Sequence, residues 1–258
     1  MDFASFNVSE PDVLIAAAVH NGHDLRPDLA ALTAIDDATR LREEDPHTGR
    51  IAARFANSVV VHRSRFEVDL NRDRHEAVYA SPEDSWGLDV WRRNLTEDEV
   101  SASLALYDRF YIDLAQVLDR LVAEDGGFVL YDIHSYNHRR LGPDAPPDLV
   151  EESPVVNLGT GSLPVKWKPV ADAFMESLRS ETFDEAHLDV RENVRFEGRH
   201  LARWVHENYG DAGCALAIEL KKVFMDEWTG ELEVERMSQL GDALLTSGPV
   251  VRKAWSLA

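Results

Sequence analysis

Phe128-Val129-Leu130-Tyr131-Asp132-Ile133-His134-Ser135-Tyr136 is a short apolar run that stops at a histidine. Gly126-Gly127 precedes it and Asn137-His138-Arg139-Arg140 follows it. A continuous apolar run bounded in this way reads as a strand buried on both faces, as in the middle of a parallel sheet. His134 then stands at the carboxyl end of the strand. Open α/β sheets bind ligands at that edge, because the loops leaving the strand tips diverge and open a crevice. One histidine there means little, since many are structural, so the weight rests on what converges with it.

Two further buried runs end in the same manner. Val13-Leu14-Ile15-Ala16-Ala17-Ala18-Val19 stops at His20-Asn21-Gly22-His23, and Cys214-Ala215-Leu216-Ala217-Ile218 stops at Glu219. A fourth, strand-like segment, Phe66-Glu67-Val68-Asp69-Leu70, leads into Asn71-Arg72. Segments 58–62 and 155–159 also read as strands. Helices are expected over 27–32, 36–42, 48–57, 169–180, 199–208 and 234–245, with a loop carrying short helical pieces over 77–94. The longest helix opens with a capping box of Thr96 and Glu99. Its apolar stripe runs through Leu104, Tyr107, Tyr111, Leu114, Leu118 and Leu121, and Gly126-Gly127 closes it. Strands alternating with helices predict a three-layer α/β/α fold with a mainly parallel, mixed sheet. At 258 residues the chain suits one domain, 1–258.

Composition narrows the functional classes. A formal net charge of −20 argues against nucleic acid as a partner, because phosphate binding needs a basic surface. No apolar stretch approaches the ~20 residues that span a bilayer, so no membrane association is expected. Met1-Asp2-Phe3-Ala4-Ser5 lacks the basic start and apolar core of a secretory signal, and a cytoplasmic location is the expectation. Cys214 is the only cysteine, which excludes an intramolecular disulfide and a cysteine-based zinc cluster. Any metal must be held by His, Asp or Glu.

Parallel strands would bring His20, His134, Glu219 and Asn71-Arg72 to one sheet edge, and that set suits metal-assisted hydrolysis. Catalytic zinc commonly takes three protein ligands from His, Asp and Glu and keeps a fourth position open. His20 and His134 supply two. The third is either His23 or a carboxylate of Glu44-Asp45. Glu219 fits the separate acid that takes a proton from water and passes it to the leaving nitrogen. Arg72, with Asn71 beside it, would hold a substrate carboxylate or polarise the scissile carbonyl. Each residue also has a plainer role open to it. His23 would cap the following helix or line the cleft, Asp45 before Pro46 is a common helix start, and Arg72 suits a surface ion pair. Glu219 has the weakest alternative, because an acid directly after Ala-Leu-Ala-Ile is expensive to bury without a role. Asp132 suits a local hydrogen bond or the orienting of a ligand histidine.

These motifs resemble known families. Ile133-His134-Ser135-Tyr136, Asp69-Leu70-Asn71-Arg72 and Ile218-Glu219-Leu220-Lys221 resemble, in order, three segments of zinc metallocarboxypeptidases: the last metal histidine, the Asn-Arg pair that grips the terminal carboxylate, and the general-base glutamate. The closer resemblance is to the N-formylglutamate amidohydrolase family. It rests on His20-Asn21-Gly22, on Asp45 within Glu44-Asp45-Pro46-His47-Thr48, and on Ser64-Arg65-Phe66-Glu67-Val68-Asp69-Leu70-Asn71-Arg72. Tyr131-Asp132-Ile133-His134-Ser135, Asn157-Leu158-Gly159-Thr160 and Phe196-Glu197-Gly198 agree as well. The resemblance implies a zinc-exopeptidase (phosphorylase/hydrolase)-like fold. It also implies metal ligands His20, Asp45 and His134, Glu219 as base, and Asn71, Arg72 and Arg65 facing the substrate. The chain departs from the pattern at Val19, where the family often has Pro. It departs again at His23, where the wider peptidase group has Glu, and at Gly198-Arg199-His200, where a Gly-Gly pair is frequent.

The resulting expectation is a zinc-dependent amidohydrolase acting on a small N-acyl amino acid, with N-formyl-L-glutamate as leading substrate and another divalent metal as an alternative cofactor. The rival readings are a carboxypeptidase-like peptidase or other deacylase on the same site, and a metal-free binding protein for an acidic ligand.

Overall fold

The computed structural model of the chain describes residues 2–8 and 11–258. Alternation along the central strands explains its layering. On the strand Phe128–Tyr136, Val129, Tyr131 and Ile133 join one apolar cluster while Phe128 and Leu130 join another, so the strand is covered on both faces. The strands in chain order are β1 (Ala4–Val8), β2 (Leu14–Ala18), β3 (Asn57–Val61), β4 (Phe128–Tyr136), β5 (Val156–Gly159), β6 (Thr182–Phe183), β7 (Ala186–His187), β8 (Val190–Glu192) and β9 (Gly213–Lys221). Seven of them form one sheet in the order β1-β3-β2-β4-β9-β5-β8, and β6 and β7 pair as a small hairpin. The centre, β3-β2-β4-β9, is parallel throughout; β1 and β5 add antiparallel contacts on either side, and β8 runs parallel to β5.

Helices cover both faces. On one side lie α3 (Thr48–Ala52), α5 (Lys168–Ser180) and α7 (Val234–Trp255), which contribute Ile51, Phe174 and Leu244 to the first cluster. On the other lie α4 (Glu97–Asp125) and α6 (His200–Tyr209), which contribute Leu114 and Val205 to the second. Two shorter helices, α1 (Pro27–Leu32) and α2 (Asp37–Glu43), precede α3. The expected three-layer α/β/α fold with a mainly parallel, mixed sheet is therefore observed. The capping box of Thr96 and Glu99 is formed reciprocally, and Gly126, at φ 81°, ends α4 in the left-handed conformation. Among the described residues no helix is long and apolar enough to cross a membrane.

Three local expectations are corrected. The segment 66–70 is not a strand. Its alternating acids are buried rather than solvated, with Glu67 and Asp69 fully enclosed, and its amides bond locally: Glu67 N–H donates to Ser64 O at 3.0 Å and Asp69 N–H to Ala77 O at 2.7 Å. Nor does the helix expected over 48–57 reach its end. It stops at Ala52, and Asn57 instead pairs with both Val8 and Ile15 at the start of β3, so sheet pairing overrides local helix propensity. Finally, α7 runs on to Trp255 through Gly248 and Pro249, a pair that normally stops a helix. Ser247 Oγ bonds both Leu244 O and the Tyr131 hydroxyl at 2.7 Å, and Arg252 pairs with Asp12, so tertiary contacts hold the last turns in place. β1, β8 and the β6-β7 hairpin carry too little apolar pattern to be expected from sequence.

Candidate active site

His20 lies two residues beyond β2, while His134 and Glu219 occupy β4 and β9 near their carboxyl ends. Asp45 reaches them from the loop after α2, where its amide donates to the His20 carbonyl at 2.9 Å. Asp45 Oδ2 then stands 3.4 Å from His20 Nδ1 and 3.0 Å from His134 Nδ1. One ligand atom from each of these three residues lies within 4.8 Å of the others, and all three side chains are buried. Ser135 Oγ donates to the second oxygen of Asp45 at 3.2 Å.

The outer nitrogens of the two rings face carboxylates. His20 Nε2 is 2.6 Å from Asp69 Oδ1, and His134 Nε2 is 2.8 Å from Asp132 Oδ1. A ring whose outer N–H is given to a carboxylate turns its other nitrogen inward as a lone pair, which is how histidine ligands are oriented at metal sites. The donor set fits a divalent metal on charge as well. Asp45, Asp69 and Asp132 are all buried here, and both oxygens of Asp132 lack a well-aligned hydrogen bond among the described residues despite the close His134 ring. Burial opposes charge on His134, but Asp132 and Asp45 outweigh it and hold its pKa well above the usual imidazole range. Burial would likewise raise the Asp45 carboxyl, yet hydrogen bonds from His134 and His20 keep it far below the ordinary value. Asp69 is balanced by Arg65, which leaves Asp45 and Asp132 beside the two imidazoles as the buried carboxylates that a dication would neutralise.

Glu219 is 8% exposed, and among the described residues its carboxylate makes no hydrogen bond or ion pair. Burial, partly offset by His134, pushes its pKa up to about 8. The cleft in front of it is lined by the metal-type triad together with Arg65, Asn71, Trp86, Phe196 and Arg199.

The structure thus brings together His20, Asp45, His134, Glu219, Asn71 and Arg65. Asn71 Nδ2 approaches His134 Nε2 at 3.1 Å, and its Oδ1 accepts from Leu201 N at 2.9 Å, which ties the start of α6 to the site. Arg65 bonds Asp69 Oδ2 at 2.7 Å and Tyr79 at 3.1 Å, with its guanidinium 4.8 Å from the Trp86 ring. Two expected participants stand elsewhere. His23 binds Glu44 at 2.5 Å and Arg40 at 3.0 Å and is not in the triad, while Glu44 is spent on His23 and Ser64. Arg72 does not line the cleft: its guanidinium donates to the Asp84 carbonyl at 2.5 Å and stacks 4.7 Å over Tyr79. His200 and Arg203, on the first turn of α6, pair with Asp73.

Several cleft residues escape the sequence reading, among them Glu43, Arg140, Lys222, Trp86 and Arg199. Lys222 is buried and donates to the carbonyls of Arg42 and Glu44 and to Asn137 Oδ1, so it fastens the loop that carries Asp45. Its position three residues after Glu219 was the available signal. The Asn157 and Phe196-Glu197-Gly198 motifs form one unit. Asn157 Oδ1 accepts from Val194 N and Arg195 N at 2.9 Å and Nδ2 donates to Phe196 O at 2.8 Å. A Cβ on Gly159 would come within 2.3 Å of Gly198 N, so only glycine permits this close approach.

The sequence profile of the N-formylglutamate amidohydrolase family matches residues 13–225. No curated protein sequence matches the chain. Among solved structures, an N-formylglutamate amidohydrolase from Ralstonia eutropha JMP134 superposes with a TM-score of 0.78 at 17% identity, covering 99% of each chain. A gene product of Agrobacterium tumefaciens superposes with a TM-score of 0.69 at 17% identity, covering 97% of this chain and 95% of that one. A carboxypeptidase A from Helicoverpa armigera aligns more loosely, with a TM-score of 0.46 at 13% identity over 96% of this chain and 62% of its own.

Proposed function

The chain belongs to the N-formylglutamate amidohydrolase family, and from that premise and the cleft geometry we propose that it is a zinc-dependent amidohydrolase. Its proposed substrate is a small N-acyl amino acid, N-formyl-L-glutamate first, cleaved to formate and L-glutamate. The observation that carries this reading is the convergence of His20 Nδ1, His134 Nδ1 and Asp45 Oδ2 beside an unpaired Glu219.

His20, Asp45 and His134 would hold the metal. Zinc, when bound, supplies Lewis acidity: it polarises a carbonyl and makes water a usable nucleophile near neutral pH. Glu219 accepts a proton from the water as oxygen bonds to the formyl carbon. It then delivers that proton to the amide nitrogen as the C–N bond breaks, so one water is consumed and the amine leaves neutral. Glu219 lines the cleft beside the triad and makes no side-chain bond among the described residues, so its carboxylate is free both to take and to return a proton. Arg65 and Asn71 line the cleft and face the substrate, whose carboxylate nearest the amide they would hold.

The test is elemental analysis of purified protein together with formate release from N-formyl-L-glutamate before and after chelation. About one zinc per chain with chelator-sensitive release supports the proposal. Zinc without release from any N-acyl amino acid removes the amidohydrolase reading, and a protein that takes up no metal even on reconstitution removes the metal as well.

A further inference from the structure

The cations lining the cleft differ in how far their charge is already used. Arg65 is neutralised by Asp69 and bonded to Tyr79. Arg140 is paired with Glu43 at 3.0 Å, and Lys222 gives its donors to two carbonyls and Asn137. Arg199 alone is different: it lines the cleft, and among the described residues its guanidinium makes no hydrogen bond, ion pair or ring contact. In a chain of net charge −20, an arginine that finds no acid is conspicuous.

Its backbone is firmly placed. Arg199 sits directly before α6, whose Leu201 N is bonded to Asn71 Oδ1, and directly after Gly198, which packs over Ala217 of β9 two residues before Glu219. A fixed backbone thus carries a free guanidinium toward the cleft from the rim, where Arg199 is exposed while the triad is buried. Depth then sorts the charges. The scissile amide must reach the buried triad, so the carboxylate nearest that amide falls within the reach of buried Arg65. A second carboxylate, further along the substrate, extends toward the rim.

We infer that Arg199 is the specificity-determining residue for that distal side-chain carboxylate, making this cleft selective for N-acyl derivatives of acidic amino acids. The planar guanidinium matches a carboxylate with two parallel donors. The inference rests on the proposed amidohydrolase reading for its substrate class, but its test does not depend on turnover.

The experiment compares N-formyl-L-glutamate with N-formyl-L-glutamine, which has the same shape but no distal charge, in wild-type protein, Arg199→Gln and Arg199→Lys. Both kcat/KM and calorimetric Kd are measured on zinc-loaded protein. Wild type is expected to prefer the glutamate compound by roughly 100-fold, the size expected for a charge-assisted pair. In Arg199→Gln the preference should collapse toward one, mainly through KM, and Arg199→Lys should restore part of it. An unchanged preference in Arg199→Gln, or no preference in wild type, overturns the inference. Preferential binding without formate release would retain Arg199 as the anchor and count against the hydrolase reading alone.

Discussion

His134 and Glu219 occupy paired positions on neighbouring parallel strands, with Asp132 and Ala217 paired two residues inward. Side chains at paired positions of a sheet project to the same face, so a metal-type histidine and an unpaired acid are set side by side by strand register alone. A one-residue slip between β4 and β9 would send Glu219 to the opposite face.

Glu219→Gln keeps the shape of the side chain and removes its ability to carry the proton. Formate release is expected to fall by ~10³-fold, with zinc content unchanged by elemental analysis. Full activity in this variant would show that the proton passes through another group.

Among the described residues the Asp132 carboxylate has no other side-chain partner than the His134 ring, so its charge acts on the orientation and basicity of that imidazole. Asp132→Asn should weaken zinc affinity roughly 10- to 100-fold, read by competition with a chromogenic chelator. At saturating zinc most activity should return. A variant that binds zinc as tightly as wild type would leave Asp132 with a packing role only.

Asn157 organises the turn that presents Phe196 and Arg199. Asn157→Ala leaves the amides of Val194 and Arg195 without their acceptor and should cost about 2 kcal/mol. Denaturant melts should show this loss, and KM should rise more than kcat falls because the displaced turn lines the cleft. A change in stability with no change in KM would separate the turn from substrate binding.

His206 links stability to pH. Burial lowers its pKa from 6.5 to about 4, and its ring accepts from Ala215 N at 3.0 Å. Its folded pKa is depressed, so below pH 6.5 the unfolded chain binds the proton first. The stabilisation is therefore complete above that value and lost as pH falls toward 4, approaching about 3 kcal/mol. Urea melts between pH 7.5 and 4.5 should show this slope, and His206→Gln should flatten it. An equal slope in the variant would assign the acid sensitivity to other groups.

Much of the site was legible because strand ends are written locally. The runs ending at His20, His134 and Glu219 each carry their own burial pattern and their own terminal polar residue, and the sheet needs only parallel pairing to gather them. The segment Phe66 to Leu70 shows the limit of that reasoning. Its alternation imitates a half-solvated strand, but the acids are enclosed by partners far away in sequence, such as His20 for Asp69 and Arg26 for Glu67. Alternation reports burial on one face, and it cannot distinguish an acid facing water from one facing a buried cation.

Layering and the placement of the two histidines and Glu219 at one edge follow from patterns a few residues long. Three matters were left to contacts between distant segments. Asp45 joins the imidazoles while His23 turns to Glu44 and Arg40, because the loop after α2 is fastened by Lys222 from the far end of the chain. Arg72 is drawn onto Tyr79 and Asp84 and leaves the cleft, while Arg199 finds no acid among the described residues and stays free at the rim. Charged side chains are long and have many local partners of equal chemistry. Which one each takes is decided by the distances and solvent exclusion that the packed fold creates, and neither quantity exists along the chain.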